Sequence, residues 1–184
     1  MSRLGYATRL VLITLLLPAC VSGARVISGF GDVRDGEAYP RPAPHSGIDD
    51  WGNPGDPVLA GASGQVVATG EEPTGLSYNT CGKYVVLQHE VPNVLLAPRT
   101  TYCHLSAVSV KSGDSVNRGE PIGTTGTTGW RRPPSWIGYE HVHWELMTAG
   151  GKSTPFPFTI GCFDPKQVYP TDRLVLTYPV RCKN

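Results

Sequence analysis

Charge is scarce in this chain of 184 residues: Asp, Glu, Lys and Arg make up 17 % of it, and the formal net charge is +1. No basic stripe accompanies that balance, so electrostatics gives no reason to expect a nucleic-acid partner. Sustained 3.6-residue hydrophobic periodicity is missing too, which argues against a helical architecture. No internal repeat or low-complexity tract stands out. The chain also lacks a His-Glu-x-x-His motif, so a glutamate base of that type is not available. Its apolar run from Leu10 to Leu17 is too short to span a bilayer comfortably.

What the chain has in quantity is turn formers: 22 Gly and 17 Pro, together roughly a fifth of it. Between them lie short runs rich in Val, Thr and Tyr. The runs Val26–Phe30, Pro57–Ala60, Gly64–Thr69, Lys83–His89, Arg99–His104, His141–Met147 and Arg173–Tyr178 read as strands. This pattern predicts an all-β, antiparallel domain.

Arg3 and Arg9 ahead of the apolar run give residues 1–19 the form of a signal peptide. Leu17-Pro18-Ala19-Cys20 resembles the lipobox of bacterial lipoproteins, with Cys20 as the acylated residue, so residues 20–25 are read as a lipid anchor and short linker. Four cysteines remain: Cys81, Cys103, Cys162 and Cys182. An even number in an exported chain predicts two disulfides, with three connectivities open. One is favoured. Antiparallel partners have a constant index sum, and a hairpin turning near Val91-Pro92-Asn93 sets Cys81 opposite Cys103. Cys162 and Cys182 then close the tail, so residues 26–150 are read as the domain and 151–184 as a C-terminal extension.

Side chains alternate along a strand. On His141–Met147, Val142, Trp144 and Leu146 form an apolar back, while His141, His143 and Glu145 form a polar front that needs partners or a metal. On Arg99–His104, Thr100, Tyr102 and His104 share one face, and Thr101 and Cys103 the other. The same alternation sets a Cys81–Cys103 bridge on the core side, behind the face that carries His104. His89, among apolar neighbours, reads as a structural histidine.

Four of the five histidines fall in three short patterns: His45-Ser46-Gly47-Ile48-Asp49, Tyr102-Cys103-His104-Leu105 and His141-Val142-His143. Two imidazoles and one carboxylate, with a fourth position left for water, make a catalytic rather than a structural zinc site. In order and flanking residues these patterns resemble the lysostaphin-like zinc endopeptidases, also called the LytM or M23 family. Ile27-Ser28-Gly29-Phe30-Gly31 is similar to that family's entry strand, with Arg34 displaced. Gly55-Asp56-Pro57-Val58 and Gly64-Gln65-Val66-Val67 resemble its next strands. Gly126-Thr127-Thr128-Gly129 looks like its Gly-Ser-Thr-Gly turn, and His141-Val142-His143-Trp144-Glu145 like its His-Leu-His-Phe-Glu run.

The resemblance implies an antiparallel β core around a zinc cleft, one zinc ion per chain held by His45, Asp49 and His143, and catalytic roles for His104 and His141. Glu145 is a candidate partner for the ligands. The implied activity is hydrolysis of peptide bonds in peptidoglycan, in stem peptides or cross-links. The implied place is the periplasmic side of a Gram-negative envelope, on the outer membrane through Cys20. A regulatory protein partner is left open. Two other readings are a wall-binding protein or amidase activator without catalysis, and a D-Ala-D-Ala-type zinc carboxypeptidase. The five filled positions argue against the first. The glycine-rich segment Gly113–Gly129 and Tyr102-Cys103-His104-Leu105 argue against the second.

Three departures from the family pattern stand out. Asp50 replaces an apolar residue and either adds charge near the site or faces solvent. The 89–104 hairpin is long and carries Val94-Leu95-Leu96, a tip that meets a partner or folds back. Between Gly129 and His141 an insertion, including Trp130, Arg131, Arg132, Trp136 and Tyr139, is expected to overhang the cleft as a substrate lid, its arginines facing carboxylates and its rings facing sugar or peptide.

Overall fold

The computed structural model describes residues 26–35, 39–40, 43–73, 80–129 and 140–182. Residues 1–19, expected to be a signal peptide, Cys20, and the expected lid residues Trp130, Arg131, Arg132, Trp136 and Tyr139 lie outside these. In chain order the strands are β1 (Val26–Ser28), β2 (Arg34–Asp35), β3 (Tyr39–Pro40), β4 (Ile48–Trp51), β5 (Pro57–Leu59), β6 (Gly64–Glu71) and β7 (Lys83–Gln88). They continue as β8 (Arg99–Leu105), β9 (Ala107–Val108), β10 (Ser115–Val116), β11 (Pro121–Thr124), β12 (His141–Thr148) and β13 (Gly151–Ser153). The described residues contain no α-helix, only a 3-10 turn at Phe156–Phe158.

Eight strands form one antiparallel sheet in the order β1-β4-β12-β8-β7-β6-β10, with β13 paired to β12. A second sheet runs β5-β11-β9, and β2 pairs with β3. Alternation explains how the large sheet makes a core. Val142, Trp144 and Leu146 on β12, Val85 and Leu87 on β7, and Tyr102 on β8 are all fully buried. Val58 from β5 and Ile122 from β11 join them, so both sheets feed one cluster. Each such side chain contributes roughly 1.5–3 kcal/mol relative to exposure.

Six of the seven expected strands are present, with ends that differ by one or two residues. The seventh, Arg173–Tyr178, is a correction. It forms an isolated bridge from Leu176 to Thr159 rather than a ladder, and it docks by single bonds: Thr177 N–H to the Gly61 carbonyl at 2.8 Å and Leu176 N–H to the Phe158 carbonyl at 2.7 Å. Leu176 and Val180 nevertheless belong to the core cluster. The strand β4 was not among the expected ones, because Asp49-Asp50 interrupts any apolar run. At the β7–β8 turn, Val94, Leu95 and Leu96 are exposed, Leu95 at 98 %; the tip does not fold back.

Candidate active site

The site is assembled on the polar face of the adjacent strands β4, β12 and β8. In the β4–β12 register Asp49 stands opposite His143 and Ile48 opposite Trp144, so Asp49 and His143 share the front while Ile48 and Trp144 share the core. His45 reaches the same point from the loop before β4. That loop runs so close to β12 that a Cβ on Gly47 would stand 2.3 Å from the Trp144 carbonyl oxygen. Only glycine fits there.

Three atoms converge. His143 Nδ1 is 2.8 Å from Asp49 Oδ1 and 2.9 Å from His45 Nε2, and His45 Nε2 is 3.1 Å from Asp49 Oδ1. Adjacent ligands of a tetrahedral zinc stand roughly 3.3 Å apart, given bonds of about 2.0–2.1 Å. The outer nitrogens decide which atoms face the centre. His45 Nδ1–H donates to the Gly29 carbonyl at 2.8 Å, which leaves Nε2 as its lone-pair nitrogen. His143 Nε2–H donates to Glu145 Oε1 at 3.2 Å, which turns Nδ1 inward. Two ring nitrogens and a carboxylate oxygen sharing one centre need a positive charge between them, a metal cation when one is bound and a proton on His143 Nδ1 when none is. The donor set fits zinc, and these three residues form the metal-competent His/Asp group among the described residues.

The electrostatics agree with that geometry. Burial alone would push Asp49 up, but the imidazoles of His143 and His45 packed against its carboxylate hold it well below the ordinary carboxylate value. Burial would likewise lower His143, yet its bonds to Asp49 and Glu145 raise it to about 9. Glu145 is half-buried, which acts to raise it; contacts with His143, Lys152 and Ser46 bring it to about 2. Lys152 Nζ on β13 lies 2.8 Å from Glu145 Oε1, and the Ser46 hydroxyl donates to the same oxygen.

His104 and His141 stand beside this centre. Their ring centroids are 5.0 Å apart, and His104 is 5.8 Å from His143. His141 Nε2 is 3.9 Å from Asp49 Oδ1. His104 Nδ1–H donates to the Thr128 carbonyl at 2.9 Å. Burial, then the neighbouring His141 and His143, push His104 down to about 3. It is therefore neutral, with Nε2 as its lone-pair nitrogen.

Three sequence-based expectations are corrected here. His104 does not share the Tyr102 face, because it sits at φ 63° beside a register shift between β7 and β8, and alternation breaks at such a point. Nor does the Cys81–Cys103 bridge, which the structure does form, lie behind the site. Cys103 is the direct partner of His143 in the β12–β8 register, so it shares the His143 face. Asp50 neither faces solvent nor reaches the centre. It is fully buried on the core side, where it accepts a 2.8 Å bond from Trp144 Nε1.

Sequence reasoning passed over the supports. Ser28, Gly29, Ser46, Thr128 and Lys152 fix the ring orientations, but most of them act through backbone atoms or across strands, where no spacing announces them. His89 is a buried histidine outside the site, with Nδ1 2.9 Å from the Ser63 carbonyl and Nε2 2.8 Å from Thr100 Oγ1.

Comparison with known proteins points the same way. Residues 43–155 match the model of peptidase family M23. Over 126 residues the chain is 37 % identical to the peptidoglycan DD-endopeptidase ShyA of Vibrio cholerae, covering 68 % of this chain and 25 % of that protein. The chain thus spans about a quarter of the length of the curated relatives it first matches. Among solved structures, the catalytic domain of lysostaphin from Staphylococcus simulans is similar with a TM-score of 0.57 at 30 % identity, over 73 % of this chain and 91 % of that one. A zinc-containing peptidase from Vibrio cholerae aligns with a TM-score of 0.55 at 28 % identity, over 72 % of this chain and 36 % of that one.

Proposed function

The chain belongs to peptidase family M23, and from that premise we propose that it is a zinc endopeptidase cleaving peptide bonds of peptidoglycan in the cell envelope. The observation that carries the reading is the convergence of His45 Nε2, Asp49 Oδ1 and His143 Nδ1 on one point, each imidazole oriented by an acceptor behind it. One zinc ion per chain is assigned to these three residues. When bound, zinc supplies a Lewis acid that polarises a carbonyl and lowers the pKa of water toward neutrality.

The remaining work falls to the protein. His104, neutral and with its Nδ1–H committed to Thr128, orients the attacking water by accepting its hydrogen bond at Nε2. His141, beside it, hydrogen-bonds the developing oxyanion, and the proton released by the water passes across this pair to the leaving amine. A burial-poor, solvent-bathed cluster would not keep His104 in one tautomer; here both rings are buried.

Substrate class rests on the relatives, two of which are named peptidoglycan DD-endopeptidases. Cys20 as lipid anchor and outer-membrane attachment on the periplasmic side belong to the same proposal, supported by the leader and by two disulfides that need an oxidising compartment. So does a lid containing Trp130, Arg131, Arg132, Trp136 and Tyr139, because the residues at either end of that segment sit at the site: Gly129 follows the Thr128 that holds His104, and Glu140 precedes His141. A wall-binding role without catalysis draws no support from a site in which all five positions are filled.

The test is mass spectrometry of muropeptides after incubation with the chain from Val21 onward, zinc-loaded or chelated, with His143→Ala alongside. New fragments that require both metal and His143 are expected, and their masses identify the bond. No fragments from folded, zinc-bound protein would overturn the peptidase reading.

A further inference from the structure

His104 holds a backbone conformation, φ 63°, that a residue with a Cβ keeps only when its surroundings impose it. The surroundings are a closed circuit. The His104 N–H donates to the Cys81 carbonyl at 2.8 Å, and Cys81 is bonded through sulfur to Cys103, the residue before His104, with the two Cα atoms 4.8 Å apart. The segment after Cys81 is wedged against the Thr128 turn. A Cβ on Gly82 would stand 2.2 Å from the Thr128 carbonyl carbon, and one on Gly129 2.2 Å from Gly82 N. Hydrogen bonds lock the two together: Thr80 N–H to the Gly129 carbonyl at 2.9 Å, Lys83 N–H to Thr128 Oγ1 at 2.9 Å, and the Thr128 hydroxyl to the Leu105 carbonyl at 2.7 Å. Thr128 in turn supplies the carbonyl that takes the His104 Nδ1–H.

We propose that the Cys81–Cys103 disulfide is a positioning element for His104. It ties segment 80–83 to β8, that segment seats Thr128, and the Thr128 carbonyl fixes His104 in the tautomer whose lone pair is at Nε2. Cys103 is also the strand partner of His143, so the bridge anchors β8 at the level of the metal ligands. The consequence is a peptidase whose turnover depends on an oxidised bridge while its metal affinity does not. The proposal rests on the reading of His104 as the residue that orients the attacking water.

The experiment compares the zinc-loaded full chain with the Cys81→Ala/Cys103→Ala double variant, leaving Cys162–Cys182 intact. Four quantities are measured: kcat and KM on a purified cross-linked muropeptide, zinc stoichiometry, far-UV circular dichroism, and the His104 ring tautomer by long-range 1H–15N correlation. The expected result is an unchanged fold, one zinc and KM within about twofold, with kcat reduced roughly 10–100-fold and His104 sampling both tautomers. Wild-type kcat with a single tautomer overturns the proposal. Should the double variant fail to fold, Thr128→Val keeps the bridge and the carbonyl but removes the hydroxyl bonds that seat them. It is expected to lower kcat without moving KM, and unchanged kcat with an unchanged tautomer counts against the proposal. Inactivity of the unmodified chain would instead overturn the peptidase reading, while the tautomer spectra still decide the positioning one.

Discussion

Asp50 is the residue with the least comfortable position in the molecule. It is fully buried, its Oδ2 accepts from Trp144, and its Oδ1 has no hydrogen-bond partner among the described residues. Burial, only partly offset by the Trp144 bond, raises its pKa from 3.8 to about 7. The folded state therefore binds the proton more tightly than the unfolded state does. Its cost is absent below pH 3.8, grows as pH rises, and is complete above about pH 7, reaching on the order of 4 kcal/mol. Asp50→Asn removes the ionisation while keeping an oxygen for Trp144; its unpaired amide adds an offset that does not vary with pH. Urea unfolding at pH 4.5 and pH 8 should thus show the stability difference between variant and wild type shifting in the variant's favour at the higher pH. Parallel curves would mean that Asp50 titrates normally. The sequence marks Asp50 as unusual but cannot say which face it takes, because that face follows from the register of β4 against β12.

At the scale of elements, β13 exists in this structure as a buttress. It pairs with β12, and Lys152 on it holds Glu145, which holds His143. Outer-sphere carboxylates of this kind typically contribute a factor of 10–100 in metal affinity. Glu145→Gln keeps the volume and removes the charge, so the zinc dissociation constant is expected to rise by roughly that factor. Competition with a chromophoric chelator measures it, and an unchanged constant would sink the buttress role. Lys152→Met should reproduce part of the loss, and the two changes should be non-additive if they act along one path. β13 was not among the expected strands, but β12 was legible beforehand: alternation alone divided it into its apolar back and its chemical front. The same rule failed one strand away. On β8 it set Cys103 with Thr101 correctly but misplaced His104, and with it the side of the site given to the Cys103 bridge, because the positive φ at His104 is a product of tertiary contacts with Cys81 and Thr128 and leaves no trace in spacing. β4 escaped for a related reason. Two adjacent aspartates carry no strand signature until their neighbours bury one and aim the other at a metal site.

For the molecule as a whole, the C-terminal tail decides whether the domain can stand alone. The match to the family ends at residue 155, which would invite cutting the chain there. The contacts argue otherwise. Leu176 and Val180 lie in the central cluster, Leu59 N–H on β5 donates to the Pro179 carbonyl at 2.7 Å, and Arg118 donates to the Val175 carbonyl at 2.8 Å while stacking on Tyr169 at 4.4 Å. Removing residues 156–184 would expose the core surface around Val58 and Ala60 and leave the Leu59 N–H of β5 without its partner, which costs more than a marginally stable domain can lose. The truncated chain is expected to lack a cooperative thermal transition. Opening the Cys162–Cys182 bridge is a milder change. Its sequence separation is 20 residues, worth about 3 kcal/mol in the unfolded state on chain-entropy grounds, so Cys162→Ala/Cys182→Ala should still fold, with Tm lower by roughly 6–12 °C. The two variants separate packing from tethering. If the truncation melts cooperatively at the wild-type Tm, the tail is an ornament on an independent domain; if only the cysteine variant does, tethering adds nothing and the tail is held by its core residues alone.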